Sequence, residues 1–127
     1  MILVDTSAWV EFFRDRGPLA ARVDGLLAEG EVALCGPVLT ELGRGLRNPR
    51  ERQRVMEYLE ACFLLDQPHA LWSEAGELGA LLGRRGATVK SMDLLIAVHA
   101  LAHRVPLLTR DSDFEAVARA GVGLVLA

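Results

Sequence analysis

Lysine is almost missing from this chain: of its 14 basic residues 13 are arginine, with Lys90 the exception. Together with abundant Ala, Gly and Leu, that bias reads as genome composition rather than as function. Cysteine is scarce too. Only Cys35 and Cys62 occur, each in an apolar context, which argues against a disulfide-stapled secreted scaffold and for a reduced intracellular protein, expected in the cytoplasm. No stretch approaches the roughly 20 apolar residues of a membrane span. The apolar start, Met1 to Asp5, is too short and too soon interrupted for a signal peptide. Repeats, low-complexity segments and domain-dividing linkers are absent as well. What is left, 127 residues with 51% apolar and 24% charged, suits a single domain over residues 1–127 with one proper core.

The pattern along the chain alternates strand and helix. Ile2 to Asp5 reads as a short buried strand, followed at the cap-prone Thr6 and Ser7 by a helix carrying Trp9, Val10, Phe12 and Phe13. Gly17-Pro18 stops it, and Leu19 to Glu29 forms a second helix closed by Gly30. Val32 to Cys35 is a strand, and Pro37 sits near the first position of the next helix. Asn48-Pro49 breaks that helix, and a charged one from Arg50 to Cys62 carries Val55, Met56 and Leu59 as its apolar stripe. Phe63 to Leu65 makes a short strand, and Ala70 to Arg85 a helix. Met92 to Arg104, apolar almost all round, is a helix buried against a sheet. Leu107 to Thr109 is a strand, Ser112 to Ala120 a helix and Val122 to Leu126 a last strand. The fold class is α/β with a mostly parallel sheet.

Acidic residues sit at the joints of this pattern. Asp5 ends the first strand, Glu41 lies early in the helix after Pro37, Asp93 opens the most apolar helix, and Asp111 follows Leu107-Leu108-Thr109-Arg110. In an open parallel sheet the carboxyl ends of the strands face one crevice, where converging carboxylates repel unless a cation sits among them. A hard divalent ion with oxygen ligands is the usual answer. Each acid also has an ordinary role open to it. Asp5 could cap the first helix. Asp93 could favour the positive end of its helix, with Ser91 as cap. Ser112-Asp113-Phe114-Glu115 matches a capping box, and Glu41 could lie on an exposed face. Four such acids at one end of a sheet make coincidence a poor account of all of them.

Asp5-Thr6-Ser7 after an N-terminal strand, Pro37-x-x-x-Glu41, Asp93-Leu94-Leu95-Ile96-Ala97 and Leu108-Thr109-Arg110-Asp111-Ser112-Asp113-Phe114 together resemble the PIN domain, and more closely the VapC-type ribonuclease toxins of type II toxin–antitoxin pairs. The resemblance runs the whole chain in order. It implies a three-layer fold, a twisted, mostly parallel sheet of four to five short strands flanked by helices. It implies that Asp5, Glu41, Asp93 and Asp111 are catalytic and hold Mg²⁺, or Mn²⁺ in its place, with Asp113 a further ligand. Thr6 and Thr109 match hydroxyl positions beside the site. The implied activity is endoribonucleolytic cleavage leaving 5′-phosphate and 3′-hydroxyl ends. RNA, a small antitoxin protein and a second copy of the chain are the implied partners.

One or two Mg²⁺ ions can generate a nucleophile from water and stabilise the departing oxygen, which is why carboxylates suffice and His or Cys are unnecessary. The net charge of −3 does not exclude RNA. With Asp5, Glu41, Asp93, Asp111 and Asp113 set aside, 12 of the 17 acids face 14 basic residues, a balance of +2 outside the crevice. Arg44, Arg47, Arg50, Arg52 and Arg54 crowd one region. They form either a solvated face paired with Glu51 and Glu57, or a contact for RNA phosphates or an acidic antitoxin tail, with Arg44, Arg47 and Arg50 the candidates. His99 and His103 stand at i, i+4, but no Glu follows His99 and no third ligand is near, so a zinc site is not expected. A non-catalytic RNA- or protein-binding module of the same fold is the alternative. A phosphoacceptor domain would need a second aspartate beside the first, and Asp5-Thr6-Ser7 lacks it.

Overall fold

A computed structural model describes residues 1–127. In chain order the elements are β1 (Ile2–Val4), α1 (Thr6–Arg14), α2 (Ala20–Ala28), β2 (Val32–Leu34), α3 (Gly36–Arg44), α4 (Pro49–Glu60), β3 (Phe63–Leu64), α5 (Ala70–Arg84), α6 (Ser91–His103), β4 (Leu107–Leu108) and α7 (Asp113–Arg119). The four strands form one parallel sheet in the order β3-β2-β1-β4, flanked by the seven helices. This is the expected α/β architecture, at the lower of the two strand numbers foreseen.

The order has a consequence for function. The chain lays down β1, moves outward through β2 to β3, then crosses back to place β4 on the other side of β1. The β1/β4 boundary is therefore the topological switch point, the place where open parallel sheets bind ligands beyond their carboxyl ends. Register sharpens this. Leu3 pairs with Leu107 and Val4 with Leu108, so Asp5 and Thr109 emerge level with each other. On the other side Leu3 pairs with Ala33, which brings Cys35 level with Asp5.

Burial explains the short, wholly apolar strands. Leu3, Val4, Ala33, Leu107 and Leu108 are buried, as expected where helices cover both faces of a parallel sheet. α6 buries Leu94, Ile96, Ala97, Val98, His99 and Ala100 and packs along α5. A side chain at Gly79 would stand 2.8 Å from Leu94 Cδ1, so the glycine permits the two helices to approach.

The last expected strand is not formed. Of Val122 to Leu126 only a single parallel bridge, Leu126 to Leu107, remains. Gly121 and Gly123 take φ of +76° and +98°, which breaks the extended run before it can pair. The tail still closes the outer edge of β4, through Leu107 N–H to the Val125 carbonyl and Ala127 N–H to the Leu107 carbonyl.

Two capping expectations also change. α6 is preceded by Lys90, with no side-chain cap from Ser91. The Ser112–Glu115 capping box does not form either. Asp111 Oδ1 instead accepts from the Asp113 amide at 2.9 Å, because the αR backbone of Ser112 does not aim its hydroxyl at the following amides.

Candidate metal centre at the sheet's switch point

Asp5 is the N-cap of α1 and almost fully buried. Its Oδ2 accepts from Ser7 Oγ at 2.6 Å, from Thr109 Oγ1 at 2.8 Å and, at 3.4 Å, from the Ser7 amide. All three donors fall on one oxygen, leaving Oδ1 without a protein donor. The two hydroxyls are themselves fed by backbone. Ser7 Oγ accepts from the Arg110 amide and Thr109 Oγ1 from the Asp111 amide, each at 2.9 Å. Both hydroxyl protons are committed to Asp5, so the 3.2 Å approach of Ser7 Oγ to Thr109 Oγ1 has no proton between them. Amide, hydroxyl and carboxylate thus form a chain in which each bond polarises the next.

Asp93, Asp111 and Asp113 converge. One carboxylate oxygen from each lies within 4.8 Å of the other two. Asp93 comes from the third residue of α6, Asp111 from the β4–α7 loop, and Asp113 from the start of α7. Asp93 is buried and accepts no hydrogen bond from the protein, so nothing offsets its desolvation. Burial, with the charges of Asp111, Asp5, Glu41 and Asp113 adding to it, raises its pKa to about 6. Cys35, under the same crevice, is pushed up to about 12 by burial, partly opposed by a Val38 backbone hydrogen bond and reinforced by Asp5 and Glu41. It is an inert thiol. Its two acidic neighbours show that Asp5 and Glu41 border the same spot from different elements.

Glu41 stands slightly apart. It projects from α3 and accepts from Thr6 Oγ1 at 2.7 Å. Every expected acid therefore lies in one neighbourhood, but in two grades: a tight trio of Asp93, Asp111 and Asp113, and two flanking carboxylates held by hydroxyls. Thr6 and Thr109 touch the acids as expected. Ser7, expected only as a cap, joins two walls of the site. Its position two residues after Asp5 was the available signal.

A cleft of about 340 Å³ runs outward from Thr6 and Glu41 between α1, α3 and α4, with Arg14, Arg47 and Arg54 on its walls. Among the expected contact arginines Arg47 is there, while Arg44 and Arg50 lie outside it on the exposed surface. Arg54, a member of the crowded arginines though not among the three candidates, is there too, while Arg14 was missed, although Thr6, Val10 and Arg14 repeat at helical spacing on one face of α1. The expected pairing of the arginines with Glu51 and Glu57 does not occur either. Glu51 accepts from the Arg47 amide and Glu57 from the Gln53 side chain. His99 Nδ1 and His103 Nε2 each bond a carbonyl, of Leu95 and Asp66.

Known proteins match this chain in sequence and in fold. The chain is 36% identical over 124 residues to Ribonuclease VapC11 of Mycobacterium tuberculosis, covering 94% of this chain and 92% of that one. Its fold matches the VapBC2 structure from Rickettsia felis with a TM-score of 0.79 at 23% identity, over 100% of this chain and 98% of that chain. The VapBC-1 structure from nontypeable Haemophilus influenzae gives 0.76 at 24% identity, over 100% and 97%. The family description "PIN domain" matches residues 2–120, a span that holds every strand and every acid of the crevice, and by that match this chain belongs to the PIN-domain family.

Proposed function

We propose that this protein is a metal-dependent endoribonuclease, the toxin of a type II toxin–antitoxin pair, cleaving RNA to leave 5′-phosphate and 3′-hydroxyl ends. The observation that carries the reading is the trio Asp93, Asp111 and Asp113, with oxygens within 4.8 Å of one another at the sheet's switch point and no protein cation among them. The relatives named as ribonucleases support it.

An all-oxygen, all-carboxylate donor set fits a hard divalent ion. Asp93, Asp111 and Asp113 would hold Mg²⁺ or Mn²⁺, with the free Oδ1 of Asp5 and the Glu41 carboxylate at the margin. When bound there, such an ion supplies an activated water and charge neutralisation at the leaving oxygen. The protein's own part is positioning. Ser7 and Thr109 fix the Asp5 carboxylate in one orientation, the Asp113 amide fixes Asp111, and Thr6 fixes Glu41. A site held this way needs little rearrangement when the reaction begins.

A small antitoxin and a second copy of the chain are the proposed protein partners. The solved structures whose names give a toxin–antitoxin complex or system support the first. Exposed Phe63 and Leu64 on the edge strand and Trp72 on α5 offer apolar surface to either. The cytoplasm, where RNA and antitoxin are made, is the proposed location. No helix is long and apolar enough to cross a membrane.

Purified protein incubated with a panel of structured RNAs tests the reaction. Cleavage should require Mg²⁺ or Mn²⁺, stop with EDTA, and yield fragments with 5′-phosphates. Asp5→Asn and Asp93→Asn should each fold and fail to cleave. Near-normal cleavage by both variants, free of contaminating nuclease, would remove these residues from the reaction.

A further inference from the structure

The cleft between α1, α3 and α4 has a charge the acidic crevice does not prepare one to expect. Arg14, Arg47 and Arg54 line it, and none of the three is in an ion pair. Its two acids, Glu41 and Glu51, offset part of that charge but pair with none of the three arginines. Glu51 has an oxygen committed to the Arg47 amide at 3.0 Å, and Glu41 has one committed to Thr6. Arg54 is also held in place. Its guanidinium carbon lies 5.8 Å from the centre of the Phe13 ring, and Nη2 donates to the Phe13 carbonyl at 3.5 Å. Arg47 sits in a loop fixed at its far end by the Asn48 cap on the Glu51 amide.

We infer that this cleft is a subsite for the RNA backbone next to the reacting phosphodiester, with Arg14, Arg47 and Arg54 contacting its phosphates. The inference rests on the ribonuclease reading above. A strand whose phosphodiester lies at the acidic trio must leave the crevice, and the cleft's inner wall is Thr6 and Glu41, which belong to that crevice. The cleft therefore continues the site. Its volume, about 340 Å³, falls at the small end of the roughly 300–1,000 Å³ of organic-ligand sites. That suits one nucleotide unit. Guanidinium forks match phosphate oxygens, and three of them lining one cleft without a carboxylate partner have a polyanion as their natural counterpart. A short acidic peptide is the competing occupant, and the test separates the two.

Fluorescence anisotropy with a labelled single-stranded RNA of random sequence is the measurement, in an Asp93→Asn background with Mg²⁺ present. Binding is followed against salt for the parent, for Arg14→Gln/Arg47→Gln, and for a charge-matched control, Arg22→Gln/Arg119→Gln, on exposed surfaces of α2 and α7 outside the cleft. Each lost phosphate contact on a single strand lowers the slope of log affinity on log salt by about 0.7. The cleft variant should therefore lose about 1.4 from the slope and bind more weakly, while the control keeps the parent's slope. Matching thermal melts confirm that all three are folded. An unchanged slope in the cleft variant, as an acidic-peptide site predicts, overturns the inference and leaves the ribonuclease reading standing. Equal losses in cleft variant and control also overturn it, because binding would then follow net charge alone. No RNA binding by the parent, with no cleavage by the unsubstituted chain, removes both readings together.

Discussion

The joint between β1 and α1 and the start of α6 each place a buried aspartate at the beginning of a helix, and they treat it in opposite ways. Asp5 is wrapped by donors from Ser7 and Thr109. Asp93 is buried nearly as deeply, 7% exposed against 3%, and receives none. The first environment stabilises the charge from within the protein. The second leaves the charge to be satisfied from outside, beside two more carboxylates. A carboxylate that only caps a helix would look like Asp5. One kept for an external cation would look like Asp93.

Removing the donors at one end should show how much the wrapped carboxylate matters to the open ones. Thr109→Val takes the hydroxyl from Asp5 and from the Asp111 amide together. Partners one bond removed from a metal typically contribute about 10–100-fold to affinity or activity. Mn²⁺ affinity, followed by calorimetry, should fall within that range. Thr6→Val, which releases only Glu41 at the margin, should cost less. Equal losses would mean that Glu41 belongs to the binding trio rather than beside it.

Stability without metal is the second test. Asp5→Asn should destabilise the EDTA-treated protein by about 1–3 kcal/mol, because it leaves the donors without a charged acceptor. Asp93→Asn should melt at or above the unsubstituted protein, since it removes a desolvated charge that repels its neighbours. Added Mg²⁺ should then raise the melting temperature of the unsubstituted chain far more than that of Asp93→Asn. If Asp93→Asn melts well below the parent without metal, Asp93 is a structural residue of α6 and the contrast fails.

The smallest expected effect is in pH. A carboxyl whose pKa rises from 3.8 unfolded to about 6 folded binds its proton more tightly in the native state. Its contribution to metal-free stability therefore grows as pH falls from above 6 towards 4, and is lost as pH rises through 6. Melting curves against pH in EDTA should show this as a difference between the parent and Asp93→Asn confined to that window. With metal present the proton competes with the ion, so Mg²⁺ stabilisation should weaken below about pH 6. A parent-minus-variant difference that is flat across the window would mean that Asp93 ionises normally.

Most of the contrast could be anticipated from residue order, and part of it could not. Acids at strand ends mark the crevice because a parallel sheet sends all its carboxyl ends to one side. Residue order also places Asp93 beside an apolar run, hence buried. It cannot show that Asp5 would draw Thr109 in addition to its local Ser7 donors, because that contact comes from register, across a ladder between residues about a hundred positions apart. The arginines show the same limit. Arg44 and Arg50 neighbour Arg47 in sequence, yet the cleft selects Arg14 and Arg54, which reach it from α1 and α4. Val122 to Leu126 misled for a local reason, since its apolar residues suggest a strand but Gly121 before it and Gly123 within it adopt left-handed backbone.

The position of β1 carries one more consequence, concerning the order of events during synthesis. β1 is made before the other strands of the sheet and lies in its interior, but its β4 neighbour is the last strand to be made. The pairing of Leu3 with Leu107 closes a loop spanning most of the chain, the kind of contact that folding reaches late. Until Leu107 and Leu108 dock, Asp5 has no Thr109, and Asp93 has neither Asp111 nor Asp113 opposite it. A growing chain therefore carries Asp5, Glu41 and even Asp93 without a crevice to put them in. For a protein proposed to cut RNA, this arrangement postpones a competent site until β4 and the start of α7 have been made.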